Sequence, residues 1–245
     1  MKKPDWRQKV RTRIKRAGAA CFPNIDYRAP NFRGADKAAQ LLRDLPMWKR
    51  ARVIKFDSDP PQLALRRAAL RENKIIYLAV PRLRGERCFI ELDPERLGRR
   101  ILHAAGLAGA LRYGRLVGPQ EVKPVDLVIC GSVAVTREGA RLGPGGGYSD
   151  IAYALLRAAG KIREYTPVLT TVHPLQIVED QLPMQPHDVP VDFIVTPTQV
   201  VAAPSVYTRP SGLIWGILSA ERIAAIPLLR NRRRHAPGSS SPSHP

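Results

Sequence analysis

Residues 125–135 (VDLVICGSVAV), 137–150 (REGARLGPGGGYSD) and 151–159 (IAYALLRAA) follow one another in the chain, and their order decides the fold. The first run is apolar and rich in β-branched side chains, which suits a strand covered on both faces of a parallel sheet. The last is built from good helix formers and stops at Gly160. Between them Gly143, Gly145, Gly146 and Gly147 surround Pro144, with Arg137 and Arg141 just upstream. Strand, glycine turn and helix start in that order form an anion site. Glycines let backbone N–H groups approach a phosphate, and the helix N-terminus adds partial positive charge. Taken alone, the same glycines equally suit a surface turn that binds nothing.

Outward from this stretch, strands are predicted at 53–56, 74–80, 126–135, 167–172 and 191–196, alternating with helices near 35–45, 62–71, 94–111 and 151–159. The fold class is therefore α/β: an open, mostly parallel sheet with helices on both faces, a Rossmann-like three-layer arrangement with right-handed crossovers. Ligands in such sheets sit beyond the carboxyl ends of the strands. Residues 57–59, 81–84, 137–150 and the chain from Thr196 onward all fall there.

The chain has 245 residues, 44% of them apolar, enough for a sizeable core. One α/β domain over 1–229 is expected, followed by a tail over 230–245 that is first basic and then Ser/Pro-rich and disordered. Cys21, Cys88 and Cys130 are odd in number and far apart, so neither a disulfide framework nor a zinc site is implied, which suits a reducing cytosol. The apolar stretch 101–111 is too short to span a bilayer, and no apolar run follows the basic N-terminus as in a signal peptide. A cytoplasmic protein is expected.

The formal charge is +19. In the N-terminal basic cluster Trp6, Val10, Ile14 and Ala17 recur at helical spacing, which makes the lysines and arginines the wet face of an amphipathic helix. The sharper alternative is a polyanionic partner, RNA or a polyglutamylated folate. With 6% aromatic residues and no aromatic recognition signature, nucleic acid is the secondary reading.

The segment Gly139-x-Arg141-Leu142-Gly143-x-Gly145-x-Gly147-Tyr148-x-Asp150 resembles the signature of the 5-formyltetrahydrofolate cyclo-ligases, also called 5,10-methenyltetrahydrofolate synthetases. Three further motifs agree in order: Lys3-x-x-Trp6-Arg7, residues 76–82 (IYLAVPR) and residues 187–196 (HDVPVDFIVT). Segments 25–34, 113–118 and 212–218 are similar to the branch of methenyltetrahydrofolate synthase domain-containing proteins. The resemblance runs to about Arg230. It implies a reaction that uses ATP and Mg2+ to close 5-formyltetrahydrofolate into 5,10-methenyltetrahydrofolate, with release of ADP and phosphate. It also implies roles for particular residues. Lys3 and Arg7 match the basic pair on the nucleotide phosphates. Arg141, Leu142, Gly143, Pro144, Gly145, Gly146, Gly147, Tyr148 and Ser149 match the phosphate loop, with Arg141 and Lys3 as the catalytic cations. Asp59 and Tyr148 are expected against the folate, and Asp150 and Asp188 on magnesium. Read without the resemblance, Asp150 is equally a helix cap and Asp188 an Asx-turn residue.

The chain departs from the pattern in several places. Asp59-Pro60-Pro61-Gln62 stands where active members carry Glu-Val-x-Thr, and Gly131-Ser132 replaces Pro-Gly. Val135-Thr136 replaces Phe-Asp, and Tyr148-Ser149-Asp150-Ile151 replaces Tyr-Tyr-Asp-Arg. The nucleotide half is thus better kept than the folate half. The alternatives carried alongside the cyclo-ligase are a nucleotide- and folate-binding homologue with weakened catalysis and an RNA-associated protein. The oligomeric state, monomer or dimer, is left open.

Overall fold

The computed structural model describes residues 1–23, 27–204 and 206–234, the last without its side chain. The strands are β1 (Val53–Phe56), β2 (Ile75–Ala79), β3 (Phe89–Leu92), β4 (Arg115–Val117), β5 (Leu127–Cys130), β6 (Ala134–Val135), β7 (Arg141–Leu142), β8 (Val168–Thr171), β9 (Phe193–Val195) and β10 (Val200–Ala202). The helices are α1 (Lys3–Arg16), α2 (Ala35–Asp44), α3 (Pro46–Arg50), α4 (Leu63–Arg71), α5 (Pro94–Leu97), α6 (Ile101–Ala104), α7 (Leu107–Tyr113), α8 (Tyr148–Ala158), α9 (Ala220–Ala225) and α10 (Pro227–Arg234).

Eight strands form one sheet in the order β10-β9-β8-β5-β1-β2-β3-β4. The five central strands, β9 to β2, are parallel, and β10, β3 and β4 are antiparallel additions at the edges. Alternation along the strands sorts side chains into two cores, as period-2 geometry requires. Ile54, Phe56, Ile76, Leu78, Leu127 and Ile129 face the core shared with α2, α3 and α4. Tyr77, Val128 and Cys130 face the other, closed by α8, α9 and α10 through Ile151, Leu155, Ile223, Ile226 and Leu229. The expected mostly parallel three-layer architecture is what the chain adopts. From β1 the chain moves to β2 on one side, while β5 leads to β8 and β9 on the other. The carboxyl ends of β1 and β5 are therefore the switch point of the sheet.

Three elements differ from the sequence expectation. The strand predicted over 126–135 breaks after Cys130, because Gly131 donates its N–H to the Asp57 side chain (2.9 Å) instead of continuing the ladder. The chain re-enters as β6, which pairs with β7 in a separate hairpin. The helix predicted over 94–111 is three short helices and a 3-10 turn, interrupted at Gly98 (φ 51°) and Gly106. Helix α8 begins at Tyr148, three residues earlier than expected, directly after Gly147 (φ 68°). The tail expected from residue 230 begins inside α10, and the Ser/Pro-rich stretch 235–245 lies outside the described residues.

Helix α1 buries Trp6, Val10 and Ile14 of the expected stripe against Val133, Ala134, Ala140 and Leu142 of the β6-β7 hairpin and its approach, whereas Ala17 caps the helix and is exposed. Its basic face runs past the glycine turn. Among the described residues no helix is long and apolar enough to cross a membrane.

Candidate functional site at the switch point

The end of β1 carries a buried ion pair. Lys55 is fully buried and its Nζ lies 2.5 Å from Asp57 Oδ1. Asp57 Oδ2 accepts from Gly131 N (2.9 Å), at the end of β5, and from Ser149 Oγ (2.6 Å), in the first turn of α8. One carboxylate thus fastens three chain segments at the rim of the sheet. Burial opposes both charges, yet the attraction between them wins, so the Asp57 carboxyl lies below and the Lys55 ammonium above its ordinary value.

Behind this pair, Arg66 of α4 donates to Ala105 O (2.8 Å), Asp57 O (3.0 Å) and Asp59 O (3.0 Å), fixing the loop after β1. Asp59 is 5% exposed and accepts from Ala29 N (3.1 Å). Burial pushes its carboxyl up to about 6, and the neighbouring Asp57 charge adds to the effect. Gly131 makes the close approach possible, since a Cβ there would lie 1.9 Å from Asp59 Oδ2.

The glycine turn leaves β7 and enters α8. Gly145 (φ 124°) and Gly147 (φ 68°) adopt backbone angles that side chains disfavour. Among the described residues the N–H groups of Gly145, Gly146 and Gly147 donate to no protein acceptor. Across from them α1 presents Arg7, Arg11 and Lys15, and together with Pro144 and Gly145 these line an open groove of about 470 Å³. Arg7 Nε donates to Gly143 O (2.8 Å), tying the helix to the turn, and burial lowers its pKa.

Arg141 lies beneath the turn. It is 1% exposed, with Nε on Val189 O (2.9 Å), one terminal nitrogen on Gly131 O (2.9 Å) and the other on the Asp150 carboxylate. Burial disfavours its charge, but Asp150 and the other nearby acids hold its pKa above the ordinary value. Asp150 Oδ1 also accepts from Val189 N (3.1 Å). Asp188 Oδ2 is held by Lys3 Nζ (2.5 Å) and Gln185 N (2.6 Å). Asp150 is anchored through one oxygen, its second having no partner among the described residues, while Asp188 Oδ1 lies 3.7 Å from His187 Nε2. Among those residues no cluster of three acidic, His or Cys groups forms a metal cage. Two carboxylates with an oxygen free of strong hydrogen bonds beside the groove nonetheless have the chemistry of a Mg2+ site, since Mg2+ takes one or two carboxylates and completes its shell with phosphate and water.

The model of the 5-formyltetrahydrofolate cyclo-ligase family matches residues 3–197, a span that contains the whole of this constellation. The chain belongs to that family.

Methenyltetrahydrofolate synthase domain-containing proteins of Bos taurus and Homo sapiens are 35% and 34% identical to it over 94% of its length. The chain spans about three fifths of those relatives, 62% and 61%. A mitochondrial 5-formyltetrahydrofolate cyclo-ligase of Arabidopsis thaliana is 40% identical over 85 residues, 34% of this chain and 31% of that one. The NMR structure of the Aquifex aeolicus 5,10-methenyltetrahydrofolate synthetase shares the fold, with a TM-score of 0.55 at 24% identity over 85% of this chain and 96% of that chain.

Within this cyclo-ligase fold the expected site residues take different positions. Lys3, Arg7, Arg141, the turn from Leu142 to Ser149, Asp150 and Asp188 do converge at the end of β5 and the start of α8. Arg141 departs from the expected phosphate contact. Its three nitrogens are engaged by two carbonyls and a carboxylate below the turn, so it shapes the loop from inside. Lys3 sits on Asp188, and Leu142 is a core residue in the α1 cluster. Ser149 points to Asp57, away from the groove's α1 wall. Asp59 is turned toward Ala29 and Gly131. The upstream arginine, Arg137, is exposed in the β6-β7 connection. Lys55, Arg66 and the bridging role of Asp57 were not singled out from the sequence. The available signal was a lysine in the middle of the otherwise apolar Val53-Ile54-Lys55-Phe56.

Proposed function

We propose that the protein closes a 5-formylated tetrahydrofolate to the 5,10-methenyl form in an ATP- and Mg2+-dependent reaction, with the triphosphate lying between α1 and the glycine turn. The observation that carries this reading is the groove itself, where Pro144 and Gly145, whose N–H has no partner among the described residues, face the Arg7, Arg11 and Lys15 side of α1 just ahead of α8. Backbone donors, a helix N-terminus and guanidinium groups around one open space are the groups that stabilise a transferring phosphoryl group. Bound ATP would supply the γ-phosphoryl group that activates the formyl oxygen, with ADP as the leaving group, so that closure of N10 on that carbon would expel phosphate.

The chain's own residues position and neutralise. Arg7, fixed on Gly143 O, sets the width of the groove and contributes a positive charge at its edge. Asp150 and Asp188 are the residues that would hold Mg2+ through their second oxygens, while Arg141 and Lys3 fix the first. Arg141 acts on the reaction by holding the loop in its curved form. Tyr148, half-buried at the start of α8, is the residue assigned to the folate in this reading.

One observation favours a second reading, a homologue that binds nucleotide and folate with weakened turnover. Asp59, in the position of the folate-contacting glutamate, is buried and directed at Ala29 N. A single experiment separates the two. Purified protein with MgATP and 5-formyltetrahydrofolate is followed by methenyltetrahydrofolate absorbance, and ATP binding is measured in parallel by calorimetry. Product formation supports the cyclo-ligase, ATP binding without product supports the weakened homologue, and absence of both overturns both.

A further inference from the structure

The family match ends at residue 197, but the chain beyond it returns to the glycine turn. Helix α9 and the start of α10 dock on α8 through Ile223, Ile226 and Leu229, each at most 5% exposed, in the same core as Ile151 and Leu155. Ser219 caps α9, its Oγ accepting from Arg222 N (3.2 Å). This docking sets the Arg222 guanidinium over the ring of Tyr148, 4.6 Å from its centroid. Tyr148 is the first residue of α8, and its ring also lies against the turn, because a Cβ on Gly146 would fall 2.8 Å from Tyr148 Cδ2. Guanidinium, ring and glycine backbone therefore form one contiguous contact.

Two features of Arg222 bear on a ligand. Among the described residues it has no carboxylate within ion-pair distance. It also stands at the N-terminal end of α8, where a cation opposes the helix dipole. Stacking on a tyrosine face leaves the in-plane N–H donors of a guanidinium free to meet a ligand. A half-buried cation stacked on Tyr148 beside unpartnered amides is an arrangement that an anion would stabilise.

We propose that Arg222 is a ligand-contacting residue of the glycine-turn site, supplied from outside the family-matched stretch, and that it takes a phosphate group of the bound nucleotide. This rests on the reading of the turn as a phosphate site given above. The experiment is calorimetric titration of MgATP and of inorganic tripolyphosphate into the full chain and into Arg222→Gln, Arg222→Lys and Tyr148→Leu, each checked for an unchanged melting temperature. Arg222→Gln should weaken both ligands about tenfold or more, since a charge-assisted hydrogen bond is lost. Arg222→Lys should fall between it and the wild type because it keeps the charge without the stacked fork. Tyr148→Leu should weaken binding as Arg222→Gln does, with little added loss when the two are combined. Wild-type binding that all three variants match within twofold would overturn the role of Arg222 and leave the phosphate site standing. A wild type that binds neither ligand would overturn the phosphate site, and this inference with it.

Discussion

The Asp57 bridge permits a quantitative test, because its partner Lys55 is fully buried and 2.5 Å away. Asp57→Asn keeps the shape of the side chain and an oxygen for Gly131 N or Ser149 Oγ, but leaves the ammonium without its counter-charge. Removing one member of a buried pair costs about 3–5 kcal/mol, since the survivor stays desolvated. For a chain of this size about 2–4 °C is lost per kcal/mol, so the melting temperature should fall by roughly 6–20 °C. In the variant burial lowers the Lys55 pKa unopposed. The unfolded chain then binds more protons than the folded one, and the deficit should shrink as pH rises. Lys55→Met combined with Asp57→Asn removes both charges, and should restore roughly half or more of the loss. The assay is thermal melting of the four proteins of the cycle at pH 7 and pH 9. A fall below about 2 °C in Asp57→Asn, or a double variant as unstable as the sum of the singles, would refute the ion pair as the clamp of the rim.

Three further outcomes follow from the same neighbourhood. Gly131→Ala would drive a methyl group to 1.9 Å from Asp59 Oδ2 and 3.3 Å from Ala29 Cβ, and should lower the melting temperature by several degrees; an unchanged value would mean that Asp59 can swing aside. Asp59 has a folded pKa raised from 3.8 to about 6, so the folded state binds the extra proton and stability should decline as pH climbs from about 4 to about 6, by a penalty on the order of 3 kcal/mol. Asp59→Asn should therefore melt higher than the wild type at pH 7.5 and near it at pH 4, and parallel pH profiles would contradict this. Arg141→Lys replaces a fork that reaches Val189 O, Gly131 O and Asp150 with one point charge, and should cost both several degrees of melting temperature and about tenfold or more in ATP affinity by calorimetry; a loss of affinity at full stability would instead put Arg141 in direct contact with the ligand.

The sheet was legible because its central strands are nearly uninterrupted apolar runs, and because the strand, turn and helix around Gly143–Gly147 follow one another without a break. The edges were not. In β3, Phe89-Ile90-Glu91-Leu92 carries a glutamate that is 4% exposed, and Tyr77 OH (2.6 Å) and Arg115 Nε (2.9 Å), from its two ladder partners, satisfy it there. Those partners lie 14 and 24 positions away, beyond any local pattern. The strand break at Gly131 depends likewise on Asp57, 74 positions away. Site membership was readable where a motif groups residues, and Arg141, Asp150, Asp188, Lys3 and Arg7 do meet. Orientation was not readable, because a motif shows which residues converge and not which of them face solvent. Arg141 next to four glycines resembles a phosphate ligand until Val189 O and Gly131 O appear behind it.

The burial of Arg141 determines where charge for a ligand can come from. Drawing its guanidinium into the groove would strand two carbonyls and the Asp150 carboxylate, each of which would then carry an unsatisfied-acceptor cost of about 1–3 kcal/mol or more. A phosphate contact of similar strength cannot favour that rearrangement, so Arg141 stays below the turn whether or not the groove is filled. The cations that line the groove belong to α1, and the further cation proposed for the site, Arg222, belongs to α9. The central motif thus provides curvature, free amides and carboxylates, and the two ends of the chain fold back to provide positive charge. On the proposed phosphate reading, such a division makes the affinity of the site sensitive to how the terminal helices dock. Changes at Trp6 or Ile223, both buried and neither touching the groove, should then weaken phosphate binding through Arg7 and Arg222 while leaving the sheet intact.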